Sequence, residues 1–176
     1  MNKTNKKTLS RFEQILFFAA ALAGFLVLAM FLMLKAPVDP TAEHTVLPPL
    51  RKAEVMIQSQ TGGTSRFEVE VAETVAAQAR GLMFRKELAE KSGMIFLFAQ
   101  EQEMQFWMKN TFIPLDIIFI RADGIIHKIA ENAKPLDETR IPSDGPVNAV
   151  LELAGGMTAK KGIKAGDRVV FEASFN

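Results

Sequence analysis

The longest apolar run in the chain lies near its start: Ile15 to Leu34, 20 residues without a charged side chain. At about 1.5 Å per residue, a helix of that length spans about 30 Å, the hydrocarbon thickness of a bilayer. The pattern then changes to period two. Val55 and Ile57 alternate with polar neighbours, Thr61-Gly62-Gly63-Thr64 turns the chain, and Phe67, Val69 and Val71 alternate with Arg66, Glu68 and Glu70. Two alternating runs around a Gly-Gly turn predict a hairpin with one wet face. Val75, Ala79, Leu82 and Met83 fall on one helical stripe, with Thr74 as cap and Gly81 weakening or ending it. Further strands are predicted at Met94–Phe98, Met104–Met108, Leu115–Arg121, Ile125–Ala130, Val147–Leu153 and Arg168–Ala173. Asp123-Gly124 marks a type I′ hairpin turn, and Met157 to Lys161 a single helical turn. About seven or eight short strands at hairpin spacing with one short helix predict a mainly β domain, a compact antiparallel sandwich or a partly closed barrel.

Charge changes the reading of the N-terminus. Lys3, Lys6, Lys7 and Arg11 precede the apolar run, against Lys35 alone close behind it, which places the N-terminus in the cytoplasm. The run is longer than a secretory signal core and lacks a small-residue cleavage site at its exit. The chain is therefore expected to divide into a basic tail (1–14), a signal-anchor helix (15–34), a proline-rich tether (35–52) and a globular β domain (53–176). Secretion after cleavage is the alternative. The anchored form sits in the cytoplasmic membrane with its domain on the extracytoplasmic, periplasmic side.

The net charge of +1 splits into +4 for residues 1–35 and −3 for the rest, so the domain lacks the clustered cations a nucleic-acid partner requires. With no cysteine there are no disulfides, thiolate metal sites or thiol nucleophiles. His127 is the only histidine of the expected domain, no acidic cluster has ligand spacing, and no phosphate-loop, dinucleotide or nucleophile-elbow motif occurs, so neither metal nor cofactor is expected.

Candidate chemistry gathers around the sole tryptophan. Trp107 is followed by Lys109, Asn110 and Thr111, with Asp116 just beyond Pro114, and Arg80 and Arg85 flank Gly81–Phe84. A ring beside amide, carboxylate and guanidinium groups suits a small polar ligand such as a sugar. If Phe106 and Met108 enter the core, strand alternation turns Trp107 away from it, and a folded-back loop would bring Asn110 and Asp116 to the same pocket. The structural alternatives are a core tryptophan, a turn-capping Asn110, helix-end arginines, and Asp116 and Glu152 as buried carboxylates holding loops.

Arg80-Gly-Leu-Met-Phe-Arg85, Gly93-Met-Ile-Phe96, Phe106-Trp-Met-Lys-Asn-Thr111, Pro114-Leu-Asp-Ile-Ile-Phe119, Leu151-Glu-Leu-Ala-Gly155 and Gly166-Asp167 resemble, in order over residues 54–173, the signatures of the uncharacterised domain of unknown function 192 family. The resemblance implies a compact, jelly-roll-like β domain, often behind a signal or anchor segment, and no particular activity. Three functions are open at this point. One is a membrane-tethered binding module using Trp107, Lys109, Asn110, Asp116 and Arg80. Another is a hydrolase with Asp116 and Glu152 as acid and base, which for a glycosidase requires carboxyls about 5–9.5 Å apart across a cleft. The third is an envelope scaffold or assembly factor acting through its surface.

Overall fold

The computed structural model describes residues 49–172; the predicted anchor and most of the tether lie outside them. Among the described residues no helix is long and apolar enough to cross a membrane. The elements are β1 (Lys52–Gln58), β2 (Thr64–Ala72), α1 (Val75–Arg80), β3 (Ser92–Phe106), β4 (Leu115–Ile120), β5 (Ile126–Ala133), β6 (Ile141–Ala154), α2 (Met157–Lys161) and β7 (Arg168–Glu172).

All seven strands form one sheet in the order β5-β4-β6-β3-β2-β1-β7. Its two edges approach each other. Ile125 bridges Arg168, the Ile126 N–H donates to the Asp167 carbonyl at 2.9 Å, and the Val169 N–H donates to the Gly124 carbonyl at 2.8 Å. The sheet is thus a curled half-barrel rather than two stacked sheets, which decides between the two architectures the pattern allowed. It is also not wholly antiparallel: β2 and β3 pair in parallel, Glu68 opposite Ser92 through Ala72 opposite Phe96. A parallel pair needs a crossover, and the segment carrying α1 supplies it.

Both predicted hairpins form: β1 pairs antiparallel with β2 around Gly62-Gly63, and β4 with β5 through residues 121–125. The second turn is not the expected type I′: the Gly124 N–H donates to the Arg121 carbonyl at 2.9 Å, which makes Ala122 and Asp123 the central residues, and of Asp123-Gly124 the glycine alone is left-handed, at φ 78°. The helical stripe needs correction. Thr74 does cap α1, its hydroxyl accepting from the Ala77 N–H at 3.2 Å, but the helix ends at Arg80. Six residues are too few for a four-member stripe, so Val75 and Ala79 are exposed, Ala77 is the buried helical residue, and Leu82 is buried beyond the helix end.

Every strand alternates, and the two faces build two cores. One fills the curl of the sheet, with Val55, Phe67, Ile95, Ile118, Ile126, Leu151 and Val169 drawn from all seven strands. The other lies on the outer face, where Met94, Phe96, Ile117, Phe119 and Val150 are covered by Ala77, Leu82 and Leu88 from the crossover and by Met108 and Ile113 from the β3–β4 loop. Each large aliphatic or phenylalanine side chain buried there contributes about 1.5–3 kcal/mol. Gly93 is obligatory in this packing, because a Cβ would stand 2.5 Å from the Glu152 carbonyl oxygen and 2.8 Å from Leu153 Cδ2.

Candidate functional site

The outer cover is knitted by backbone hydrogen bonds around the β3–β4 loop. Phe106 and Met108 face the core, as alternation predicts: Phe106 meets Phe96 and Phe119 edge-on at 5.1 and 6.0 Å, and Met108 is fully buried. The Met108 N–H donates to the Asp137 carbonyl at 2.8 Å, the Phe84 N–H to the Asn110 carbonyl at 2.8 Å, and the Leu136 N–H to the Thr111 carbonyl at 3.1 Å. Three segments distant in sequence therefore share one backbone network. At its centre three non-glycine residues have left-handed backbone: Phe84 (φ 65°), Asn110 (φ 55°) and Leu136 (φ 62°). For Phe and Leu this costs on the order of 1 kcal/mol or more each, and such strain persists only where the surroundings over-determine it.

Trp107 leaves this core as a half-buried ring. The Arg140 guanidinium carbon stacks 3.9 Å from its centroid, and Lys109 Nζ lies 5.0 Å away. Trp107 shares a shallow cleft of about 100 Å³ with Gln78, Arg80, Met83, Gln105 and Thr111. Gln78 is held in place by its side-chain amide, which donates to the carbonyls of Ala72 (3.3 Å) and Leu97 (2.8 Å). Arg80 lies 6.0 Å from the Phe84 ring centroid. Among the described residues, Arg80, Lys109 and Arg140 form no ion pair, whereas Arg85 is spent on Glu70 at 2.5 Å. Two cations over the Trp107 ring and a third, Arg80, in the lining of the cleft beside it attract anionic or oxygen-rich groups, and guanidinium can bind a carboxylate with two parallel hydrogen bonds.

The structure brings Trp107, Lys109 and Arg80 together. Asn110 lies in the knitted loop beside them, but its amide is turned to Met83 Sδ at 4.0 Å and its main contribution is backbone. Asp116 is not part of the cleft. It is fully buried and saturated: Oδ1 accepts from the N–H groups of Asn132 and Gly156 (both 2.9 Å), and Oδ2 from the N–H and hydroxyl of Thr158 (both 2.7 Å). This carboxylate ties β4 to the end of β5 and the start of α2, the loop-holding role rather than a ligand contact. Four donors leave it no free lone pair aimed at solvent.

Glu152 lies on the opposite face. Its neighbours across the sheet are Met94 and Ile117, both in the outer core, while Asp116 shares the inward parity of Ile118 and Ile120. Strand alternation therefore puts the sheet itself between the two carboxylates, and they cannot flank a substrate as acid and base. Glu152 is buried with Oε2 unpartnered, and burial pushes its carboxyl up to about 8. His127 sits on β5 with Nε2 3.2 Å from the Asp144 carbonyl oxygen, and the nearby Ser143 hydroxyl donates to the Gly145 carbonyl at 2.6 Å rather than to the imidazole. Among the described residues no group of three or more His, Asp or Glu could hold a metal.

Sequence reasoning missed Arg140, Gln78, Gln105 and Met83. Arg140 reaches Trp107 because Phe106 pairs with Ile141 where β3 and β6 end, so the next residues outward meet. Nothing local to Arg140 announces a pairing 33 residues away in the chain.

A curled seven-stranded half-barrel carries over its outer core an aromatic cleft lined by Arg80 and flanked by Lys109 and Arg140, and defines a small β domain without a recognisable catalytic constellation among the described residues. The chain belongs to the domain of unknown function 192 family, described as an uncharacterised ACR, whose profile matches residues 56–171. Two solved structures share the fold. A protein of unknown function from Novosphingobium aromaticivorans DSM 12444 is 48% identical, with 72% of this chain and 89% of that chain covered and a TM-score of 0.67. A chain from Sinorhizobium meliloti 1021, named as a candidate transcription regulator, is 39% identical, with 70% and 96% covered and a TM-score of 0.69. No curated protein matches this chain.

Proposed function

We propose that the chain is a membrane-anchored extracytoplasmic binding module, and that the Trp107 cleft takes a small polar ligand with an acidic group, acidic sugars included. The observation that carries the reading is the half-buried Trp107, its ring flanked by Arg140 and Lys109 and its cleft lined by Arg80, none of them ion-paired among the described residues. An apolar wall supplies contact area and the guanidinium groups supply orientation. The cleft is smaller than the roughly 300–1,000 Å³ of sites that engulf a ligand. It therefore grips one ring edge or one acidic group and leaves the remainder in solvent. The anchor reading rests on the uncharged run Ile15–Leu34 and its basic flank. Retention in membranes through an alkaline carbonate wash tests it, and release of a shortened soluble form would sink it.

The name of the Sinorhizobium relative does not transfer. Outside residues 1–35 this chain carries a charge of −3, and phosphate contacts require the reverse.

The sole tryptophan is its own reporter. Titrating the protein with galacturonate and galactose in parallel should change Trp107 emission with the acid alone. Arg80→Ala should weaken that response roughly tenfold or more, the worth of a charge-assisted hydrogen bond. A response unaffected by Arg80→Ala, or absent across a panel of uronic and sialic acids, would retire the cleft as the binding site. A second reading, a scaffold acting through its surface, is favoured by one further observation: Phe84, Phe112 and Leu136 are exposed on the rim of the same loop network.

A further inference from the structure

The rim beside the cleft carries large apolar side chains where solvent would favour polar ones. Phe84 is 53% exposed, Phe112 47% and Leu136 57%; the two rings stack edge-on at 6.1 Å, and Leu136 is joined to them through the Thr111 carbonyl. Phe84 and Leu136 both hold left-handed backbone, so the fold bears strain in the very residues that it displays. Arg80 stands over the Phe84 ring, Lys109 and Arg140 flank Trp107 in the same loop network, and Asp137 and Glu138 are the acidic neighbours of Leu136. An apolar tip with lysine and arginine beside it is the composition of a surface that enters the interfacial layer of an anionic bilayer. It runs against the charge of the domain as a whole, which is negative.

The place where the chain enters the domain agrees. Pro49, Leu50 and Arg51 line a surface hollow with Val71, Thr74 and Ala77, at the start of α1. The rim begins at the other end of that six-residue helix, about 9 Å further along. The first described residues, 49–51, thus enter the domain one short helix away from the rim. The 14 residues from Lys35 to Pro48 can extend up to about 45 Å, enough to let the domain tilt until the rim touches the bilayer.

We propose that Phe84, Phe112 and Leu136 seat the domain on the anionic lipid surface of the membrane that holds its own N-terminal segment. This rests on the anchor reading, and the test separates the two. The full chain is reconstituted in nanodiscs of phosphatidylcholine alone or mixed with phosphatidylglycerol, with brominated acyl chains as contact quenchers. The reporter is Phe112→Trp in a Trp107→Phe background. The control is Thr61→Trp in the same background, in the β1–β2 turn beyond the far end of the nine-residue β2, whose length of about 30 Å separates it from α1. The expected result is strong quenching at position 112 in phosphatidylglycerol discs, little at position 61, and loss of quenching at 112 when Phe84→Ser and Leu136→Ser are added.

Failure of the chain to co-purify with discs overturns the anchor and this proposal together. Co-purification without quenching at position 112 overturns the docking alone and leaves the rim to a protein partner. Equal quenching in phosphatidylcholine discs overturns the role given to the cations, and with it the anionic surface. A 112 reporter variant that loses the far-ultraviolet spectrum of the parent is replaced by Leu136→Trp in the same background, for which the same outcomes decide.

Discussion

Replacing Glu152 by Gln should make the domain more stable at neutral pH, and the gain should grow with pH. In the folded chain the Glu152 carboxyl is buried between Met94 and Ile117 with one oxygen unpartnered, and burial pushes it from 4.5 up to about 8. At pH 7 the folded protein therefore holds Glu152 protonated, whereas the unfolded chain holds it ionised. The 2.5 pH units between 4.5 and 7, at about 1.36 kcal/mol each, make this a cost of about 3 kcal/mol. The sign follows from proton uptake on folding. The folded state binds one proton more than the unfolded state between pH 4.5 and 8, so stability is greatest below that window and falls through it by up to about 1.4 kcal/mol per pH unit. Glutamine keeps the shape and cannot ionise. Urea unfolding of residues 49–176 at pH 5, 6, 7 and 8 should show the variant gaining about 3 kcal/mol on the parent across the series. Against a typical total of about 5–15 kcal/mol that is a large fraction. A difference that stays constant with pH, or parent stability that rises from pH 5 to 8 faster than the variant's, would mean that Glu152 is ionised and paired in solution.

Other consequences are equally open to measurement. Asp116→Ala strands four buried donors and should cost about 3–5 kcal/mol in urea unfolding, with any ligand response of the surviving folded protein unchanged. Gly93→Ala drives a methyl into the β6 backbone and should cost about 3 kcal/mol or prevent folding, read by the yield of soluble protein. Leu136→Gly relieves a left-handed backbone and should leave thermal stability level or raise it by up to about 1 kcal/mol, where an ordinary strand or loop leucine would lose. Residues 49–176 should fold alone with a β-dominated circular dichroism spectrum, since the two solved relatives consist largely of this domain; a helical or random spectrum would contradict the architecture.

What the chain's pattern discloses is local. Alternation shows which residues of β1 and β2 face inward, but β4 is apolar and buried on both faces and its pattern does not tell them apart. Asp123-Gly124 marks the place of a hairpin, although the turn itself is set by Arg121–Gly124. It does not disclose partners. The parallel pairing of Ala72 with Phe96 looks, residue by residue, like any antiparallel neighbour, and so the single curled sheet could not be told from a sandwich. The same limit governs the site. Trp107, Lys109 and Arg80 declare themselves by type and proximity, but Arg140 joins them only through the β3–β6 register. Asp116 misleads for the same reason: its four donors come from residues 16 to 42 positions later, so nothing near it in sequence shows that its oxygens are already taken. The short α1 shows a different failure, in which a stripe drawn over Val75–Met83 ran past the point where the helix stops.

The place of β7 has a bearing on how the molecule is made. β1 is the first strand to leave the ribosome, yet it lies between β2 and β7, and β7 is the last. Until residues 168–172 arrive, β1 presents an unpaired edge with its Val55 and Ile57 side lacking Val169 and Phe171. Joining β1 to β7 closes a loop of about 110 residues, a slow, entropy-limited step compared with the hairpins. The half-barrel is accordingly a structure that cannot be completed until β7 has been synthesised. A nascent chain carries an open edge for that whole interval, an aggregation liability set by the strand order.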